Sequence, residues 1–350
     1  MAERVFIGLS GGVDSSVAAK RLLERGYDVV GVFIKVWQPD FIHCNWEKER
    51  LDAMRVAAHL GIPFLTMHAE DVYKQEVADY MIRTYEKGLT PNPDVMCNEH
   101  VKFGAFYTWA KANGADKIAT GHYAQTTVAD SRAHLHKAVD ASKDQSYFLW
   151  RVKQNVLGDV LFPIGDTEKT EIRKEAERAR IPTALKADSQ GICFLGHIDM
   201  YTFLSHYIKL SEGDVLDEHG DIIGQHKGAL LYTKGQRHGF TVDTRGSFAG
   251  AHYVVSRNLE RNTVSVSASS PKEHATEVLL TDLNILGIGF TETLHAMSRY
   301  HAKPEEVHIT LTNDGNAILH TTGPSIGTWE RGQSCVLYIG SECVGGGIIS

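Results

Sequence analysis

Between Val5 and Ala119, short apolar runs alternate with stretches whose apolar residues recur every three or four positions. Val5–Leu9, Val29–Val36, Phe64–His68 and Lys117–Ala119 read as strands, and Val13–Arg25, Glu47–Leu60, Val72–Lys87 and Lys102–Asn113 as amphipathic helices. That alternation predicts an α/β unit: a parallel sheet covered by helices on both faces, with ligands at the carboxyl ends of its strands. Helical patterning returns at Thr170–Arg180. A turn-rich stretch, Asp188-Ser189-Gln190-Gly191-Ile192-Cys193, comes next, and the unit is expected to span residues 1–206.

The texture then changes. Short β-rich segments separated by the turns Glu218-His219-Gly220-Asp221, Lys234-Gly235-Gln236 and Thr244-Arg245-Gly246 predict a small central domain over 207–272. The remainder, 273–350, carries Val307–Thr312, the turn Asn313-Asp314-Gly315, Ala317–Thr321, Ser334–Ile339 and Cys343–Ile349. An Asp-Gly turn between two such runs is a strong hairpin signal, and several short strands in succession suggest a β-barrel.

Composition narrows the class. The chain has 350 residues, 43% hydrophobic and 23% charged, which is ordinary for a soluble protein and sufficient for two or three domains. No run of 18 apolar residues and no leader-like start is present, so a cytoplasmic protein without a membrane span is expected. A net charge of -7 argues against a protein that coats nucleic acid over its whole surface. It leaves room for a local basic face such as Lys227, Lys234, Arg237 and Arg245, set against Asp243. Five scattered cysteines without Cys-x-x-Cys spacing argue against a disulfide scaffold or a zinc site, and adjacent His43 and Cys44 lack further ligands.

Two stretches carry the candidate chemistry. Ser10-Gly11-Gly12-Val13-Asp14-Ser15 joins the first strand to the first helix. Its glycines let the backbone approach an anion, while free N–H groups at the helix start and the hydroxyls of Ser10, Ser15 and Ser16 suit phosphate oxygens. No Gly-Lys-Ser/Thr or Gly-x-Gly-x-x-Gly pattern is present. The loop instead resembles that of enzymes that split ATP between its α and β phosphates and adenylate a substrate. Asp14 would serve either the metal–ATP complex or the helix N-terminus.

In Thr90-Pro91-Asn92-Pro93-Asp94-Val95-Met96-Cys97-Asn98, the prolines force an extended entry. Asn92 is then an N-cap, Pro93 the first helical residue, and Asp94 and Cys97 share a face one turn apart. That arrangement suits an acid/base–thiol pair, and equally a helix-start carboxylate beside a small buried cysteine. Cys193, taken alone, reads as a core residue, as do Cys335 and Cys343. His122, in Thr120-Gly121-His122-Tyr123, reads as a phosphate or base contact or as an ordinary loop histidine. Lys143-Asp144-Gln145-Ser146-Tyr147 suits an RNA loop or any exposed surface.

Taken together, SGGVDSSV, TPNPDVMCN, ATGHYA, KDQSYFL, DSQGICF, GQRHG and the terminal GGGII fall in an order that resembles the bacterial tRNA-specific 2-thiouridylase family over nearly the whole chain. The resemblance implies a PP-loop domain like the adenine nucleotide α-hydrolases, then a small β-rich domain and a C-terminal β-barrel. It implies ATP- and Mg2+-dependent 2-thiolation of the wobble uridine in tRNA for Lys, Glu and Gln. The uridine O2 would be adenylated with release of pyrophosphate, a protein persulfide would supply sulfur, and AMP would leave.

By motif match Cys193 would carry the persulfide, Cys97 would be the nucleophile that releases its sulfur through a transient Cys97–Cys193 disulfide, and Asp94 would be the acid/base. Gly8, Leu9, Ser10, Gly11, Gly12, Val13, Asp14 and Ser15 would bind ATP, with Ile34 and Gly121 beside the nucleotide. Asn92, Pro93 and Asp94 would meet the target base, and His122, Lys143, Asp144, Gln145, Arg299, Tyr300 and Gln333 the tRNA. A cysteine desulfurase or a sulfur relay protein would load Cys193. Ile34 stands where the family commonly has Met, and the surroundings of Arg299-Tyr300 are less basic than usual.

Overall fold

The computed structural model describes residues 2–41, 46–188, 199–242, 251–269, 276–287, 293–322 and 329–350. Cys44, Asp243, Arg245 and Cys193, singled out by the sequence, lie outside these residues.

The strands β1 (Arg4–Gly8), β2 (Asp28–Lys35), β3 (Phe64–His68) and β4 (Lys117–Ala119) are parallel and fall within a residue or two of the apolar runs. Beyond them, β5 (Ala124–Ala129) and β6 (Arg132–Lys137) form a hairpin, and β7 (Val160–Leu161) returns to complete the order β3-β2-β1-β4-β7. Alternate residues of β1 enter different cores. Val5 and Ile7 pack with Val17 and Leu22 of the helix Val13–Glu24, whereas Phe6 joins Met81, Val101 and Phe106 on the other face. Both faces are covered, as a parallel sheet requires.

Two helical runs on the second face, 70–86 and 93–112, contain π-helical stretches at Lys74–Ala78 and Cys97–Ala105. The second begins nine residues before the stretch predicted as Lys102–Asn113, because Asn92 caps a turn started by Pro93.

The central domain is a five-stranded sheet of β8 (Gly213–Leu216), β9 (Ile222–His226), β10 (Phe240–Val242), β11 (Tyr253–Asn258) and β12 (Thr263–Ser267). It closes over Val215, Tyr232, Val254 and Val264. The last six strands are β13 (Glu277–Ile285), β14 (Leu294–Met297), β15 (Glu305–Leu311), β16 (Ala317–Thr321), β17 (Ser334–Ile339) and β18 (Glu342–Ile349). Pairing of β13 with both β16 and β18 closes them into an antiparallel barrel. The expected Asp314-Gly315 turn joins β15 to β16, with Gly315 at a φ of 81°.

The hairpin β5–β6 was not expected from the sequence. It leaves the parallel sheet and extends the barrel sheet, β6 pairing with β18 through Glu342 opposite His136 and Cys343 opposite Leu135. The first and last parts of the chain are therefore hydrogen-bonded to one another. No helix among the described residues is long and apolar enough to cross a membrane.

Candidate active site

The phosphate loop begins where β1 ends. The Leu9 N–H donates to Val32 O at 2.8 Å, and the chain turns through Gly11, whose φ is 71°. A Cβ on Gly11 would lie 2.8 Å from Glu49 O and 2.9 Å from Ala53 N, so only glycine lets the turn rest on the helix Trp46–Leu60. Gly12 takes the N-cap position of the helix Val13–Glu24 without a side-chain cap, which leaves first-turn N–H groups for an anion. Ser10 Oγ and Ser15 Oγ lie 3.2 Å apart, and the Gly12 N–H donates to Ser10 Oγ. Ser16 differs from expectation. It is fully buried and its hydroxyl donates to Gly12 O at 2.6 Å, so it braces the helix start rather than facing a ligand.

Two glycines fix what surrounds the loop. A Cβ on Gly121 would sit 2.6 Å from Ser15 N, which brings the turn after β4 against the start of the helix. A Cβ on Gly8 would touch Ile34 Cδ1 at 3.8 Å, so Ile34 borders the loop from β2.

A ring of charge adjoins the loop. Lys169, the first residue of the helix Lys169–Arg178, donates to Asp14 Oδ1 and Oδ2 at 2.7 and 2.8 Å and also lies 2.9 Å from Asp188 Oδ1. Arg173, one turn later on the same face, reaches Asp188 at 2.5 Å, and Lys143 lies 3.5 Å from it. Lys186 donates to Asp52 at 2.9 Å and to Gly11 O at 3.3 Å. Burial pushes the Asp188 carboxyl up, but the hydrogen bond from Lys169 and the charges of Lys169, Arg173 and Lys143 outweigh it and hold Asp188 below its ordinary value. The Tyr123 hydroxyl donates to Asp14 at 2.8 Å, and burial together with that carboxylate raises the phenol far above its ordinary value. The sequence reading missed Lys169, Arg173 and Lys186. Lys169 and Arg173 show in the sequence only as a Lys–Arg pair four residues apart at a helix start, and Lys186 as a lone lysine; none belongs to a phosphate motif.

The thiol segment reaches the loop through the turn after β4. Asn92 Oδ1 accepts from Val95 N–H at 3.3 Å with Pro93 in the first turn, the expected cap. Cys97 is buried and opens the π-helical stretch Cys97–Ala105. Asp94 is partly buried; desolvation raises its carboxyl above the ordinary value, against the opposing charge of Lys102. Lys102, five residues after Cys97, is another residue the sequence reading missed. π-helical turns recur at functional sites, where the wider register re-aims side chains.

Lys102 Nζ lies 3.4 Å from His122 Nε2, and His122 Nδ1 lies 2.7 Å from Thr120 Oγ1. An ammonium can only donate, so Nε2 accepts and Nδ1 carries the proton to Thr120. Burial, and then the Lys102 charge, drive the imidazole well below its ordinary value, so it is neutral. The turn 120–122 thus touches the phosphate loop at Gly121 and the thiol helix at His122.

The other expected RNA contacts fall in varied settings. Asp144 accepts from the Ala138 N–H and the Ser146 hydroxyl, both at 2.9 Å; burial raises its carboxyl above the ordinary value, against these bonds. Gln145 exchanges bonds with the Tyr123 backbone. Tyr300 packs on Phe148 with ring centroids 4.5 Å apart, and exposed Arg299 lies against Gly235 of the central domain. The Gln333 amide donates to Thr90 O and Pro91 O at 3.2 and 3.1 Å. Cys335 and Cys343 are fully enclosed, and burial pushes the Cys343 thiol up to about 12 and Cys335 higher still, so both are packing residues. No group of three or more His, Cys, Asp or Glu side chains that could hold a metal ion occurs among the described residues.

Comparison with known proteins places three family descriptions in succession along the chain. A tRNA methyl transferase HUP domain matches residues 3–197, a tRNA methyl transferase PRC-barrel domain 201–268, and an aminomethyltransferase beta-barrel domain 275–349. The tRNA-specific 2-thiouridylase MnmA of Enterococcus faecalis is 39% identical over 357 aligned positions, covering 99% of this chain and 95% of that protein. The protein of the same name in Bacillus velezensis is 38% identical, covering 99% and 94%. Among solved structures, the U34-tRNA thiolase NcsA of Methanococcus maripaludis aligns with a TM-score of 0.36 and 16% identity, over 58% of this chain and 62% of that one.

Proposed function

Since this chain belongs to the tRNA-specific 2-thiouridylase family, we propose that it is an ATP-using tRNA-uridine 2-sulfurtransferase acting on the wobble uridine of tRNA for Lys, Glu and Gln. The observation that carries this reading is the turn Thr120-Gly121-His122. One side of it rests on the phosphate loop at Ser15, and the other meets Lys102 on the helical run that bears Asp94 and Cys97. A nucleotide-splitting loop and the segment bearing a thiol and a carboxylate are thus joined through one turn. The family descriptions speak of methyl transfer, which makes no use of a pyrophosphate cradle; the loop favours thiolation.

Ser10, Gly11, Gly12, Val13, Asp14 and Ser15 hold the phosphates through backbone N–H groups and hydroxyls, and Gly8, Leu9, Ile34 and Gly121 border the nucleotide. Lys169, Lys186 and Arg173 supply counter-charge for the leaving pyrophosphate. Asp14 and Asp188 are hard oxygen donors beside the loop and fit Mg2+, which would arrive on the ATP phosphates and offset their charge. The uridine O2 attacks the α-phosphorus, the bond to the bridging oxygen breaks, and pyrophosphate leaves. A base in a single-stranded anticodon loop is accessible to such a pocket.

The terminal sulfur of a Cys193 persulfide then attacks C2, and AMP departs. Cys97, after losing its proton to Asp94, attacks the inner sulfur of Cys193. The S–S bond to the transferred sulfur breaks, 2-thiouridine is released, and a Cys97–Cys193 disulfide remains for a thiol reductant to reopen. Asn92 and Pro93 shape the pocket for the base. His122, Lys143, Asp144, Gln145, Arg299, Tyr300 and Gln333 line the approach of the tRNA or support residues that do. A cysteine desulfurase or a sulfur relay protein loads Cys193, and the reaction takes place in the cytoplasm.

The test is incubation with Mg-ATP, unmodified tRNA for Glu and a desulfurase-based sulfur source, with 2-thiouridine read by nucleoside mass spectrometry and pyrophosphate by a coupled assay. Both products are expected from the wild type. Pyrophosphate without thiolated base would leave adenylation and refute the sulfur chemistry; neither product with competent tRNA would refute the function.

A further inference from the structure

We propose that the ion pair Arg257–Glu330, acting through the Thr90 hydroxyl, positions the segment that carries Asp94 and Cys97. Three parts of the molecule meet there. Arg257, on β11 of the central domain, donates to Glu330 Oε1 at 2.8 Å, to Gly88 O at 3.0 Å and to Tyr232 O at 2.6 Å. Glu330 stands just before the barrel strand β17, and its Oε1 also accepts from Thr90 Oγ1 at 3.2 Å. Thr233 Oγ1, again from the central domain, lies 3.2 Å from the same hydroxyl.

The backbone of Thr90 is held as closely as its side chain. Its N–H donates to Arg331 O at 2.9 Å and its carbonyl accepts from Gln333. Gly332, with a φ of 90°, lets the barrel come so near that a Cβ there would lie 2.9 Å from Thr90 N and O. On the other side a Cβ on Gly88, whose φ is 67°, would lie 2.2 Å from Leu259 Cδ1. Residues 88–91 are therefore threaded between two other domains.

The residues just after Thr90 transmit its position. Pro91 and Pro93 have φ locked by their rings, and Asn92 between them is committed to the helix cap. Asp94 is next and Cys97 one turn further, so little torsional slack separates the anchor from the candidate acid/base and thiol. The side chains of Arg257 and Glu330 are 12% and 9% exposed. Such a buried pair is a weak source of stability, since well-packed apolar residues often do as well. An apolar pair cannot, however, supply an oriented acceptor for Thr90. The role assigned to the pair rests on the 2-thiolation reading.

The experiment compares Thr90→Val, Thr90→Ser and the double variant Arg257→Met/Glu330→Leu in the full chain. It measures kcat and KM for tRNA in 2-thiouridine formation, tRNA-dependent pyrophosphate release, and thermal unfolding. Thr90→Val and the double variant are expected to stay folded, to keep the KM for tRNA within a few-fold of wild type, and to lose up to about 10²-fold in kcat for thiolation, the scale of a small misplacement of reacting groups. A clearly smaller loss is expected in pyrophosphate release, which needs the base pocket of Asn92 and Pro93 but neither Asp94 nor Cys97. Thr90→Ser, which keeps the hydroxyl, is expected to restore most of the rate. Wild-type kcat in a folded double variant, or equal impairment of the Ser and Val variants, would overturn the proposal. So would parallel loss of folding, adenylation and thiolation, which marks a merely structural link. A wild type that makes no 2-thiouridine would overturn the function itself, and this inference with it.

Discussion

The backbone turn of the phosphate loop is set locally, Ser10, Gly12, Ser15 and Ser16 bonding to one another within a few positions, while Lys169 and Lys186 only add charge from later in the chain. The thiol segment is held instead at Thr90 by Glu330 and Gln333, 240 and 243 positions away. A cradle for phosphate needs backbone N–H groups and a glycine turn, which a short contiguous stretch can provide. In the proposed function a thiol and a carboxylate meet a base on a bulky RNA, which calls for a defined direction. That direction comes from elements packed against the segment from two other domains.

Cys97→Ser separates the two regions most sharply. It should bring 2-thiouridine to background while tRNA-dependent pyrophosphate release continues. Simultaneous loss of both products would mean that the two regions are not distinct steps. Next in size, Gly121→Val places side-chain atoms where Ser15 N already lies 2.6 Å from a Cβ. It should raise the KM for ATP at least tenfold and lower stability by about 1–3 kcal/mol, the usual cost of overpacking. Nucleotide binding by calorimetry and denaturant unfolding check the two parts.

A subtler probe sits at the junction. Removing the ammonium in Lys102→Met takes away the charge that opposes the burial-driven rise of Asp94 and, with burial, depresses His122. Both values should rise. In the proposed mechanism Asp94 accepts a proton only when ionised, so the acid limb of thiolation should move to higher pH in the variant, and the His122 ring protons should titrate at higher pH by NMR. An acid limb that stays in place would detach Lys102 from Asp94. A still smaller change is expected in the barrel, where Cys335→Ala should cost about 1 kcal/mol of stability and leave thiolation unchanged.

The same contrast explains what was legible in the sequence. The parallel sheet follows from apolar runs bounded by turns, the phosphate loop from one hexapeptide, and the Asn92 cap from its two prolines. The hairpin β5–β6 was not legible because its turn uses Asp130 and Ser131 at φ values of 50° and 62° rather than an Asn-Gly or Asp-Gly pair, and because its partner β18 ends the chain. Lys169 and Lys102 were not legible because each acts through a neighbour from another element, His122 and Asp188 among them, and neither belongs to a motif that announces such a contact. Gln333 was singled out as an RNA contact on resemblance; its amide in the structure supports Thr90 and Pro91. Cys193 lies outside the described residues, so the sulfur-carrying side of the site rests on its motif.

Whether adenylation and sulfur transfer belong to two separately built regions is decided by a single turnover of Cys97→Ser with Mg-ATP, unmodified tRNA for Glu and a desulfurase-based sulfur source, following pyrophosphate and the state of the target base together. The expected result is one equivalent each of pyrophosphate and AMP per active site, a base held through sulfur to Cys193, and no free 2-thiouridine. Wild-type amounts of 2-thiouridine from that variant would contradict the division of labour between loop and thiol.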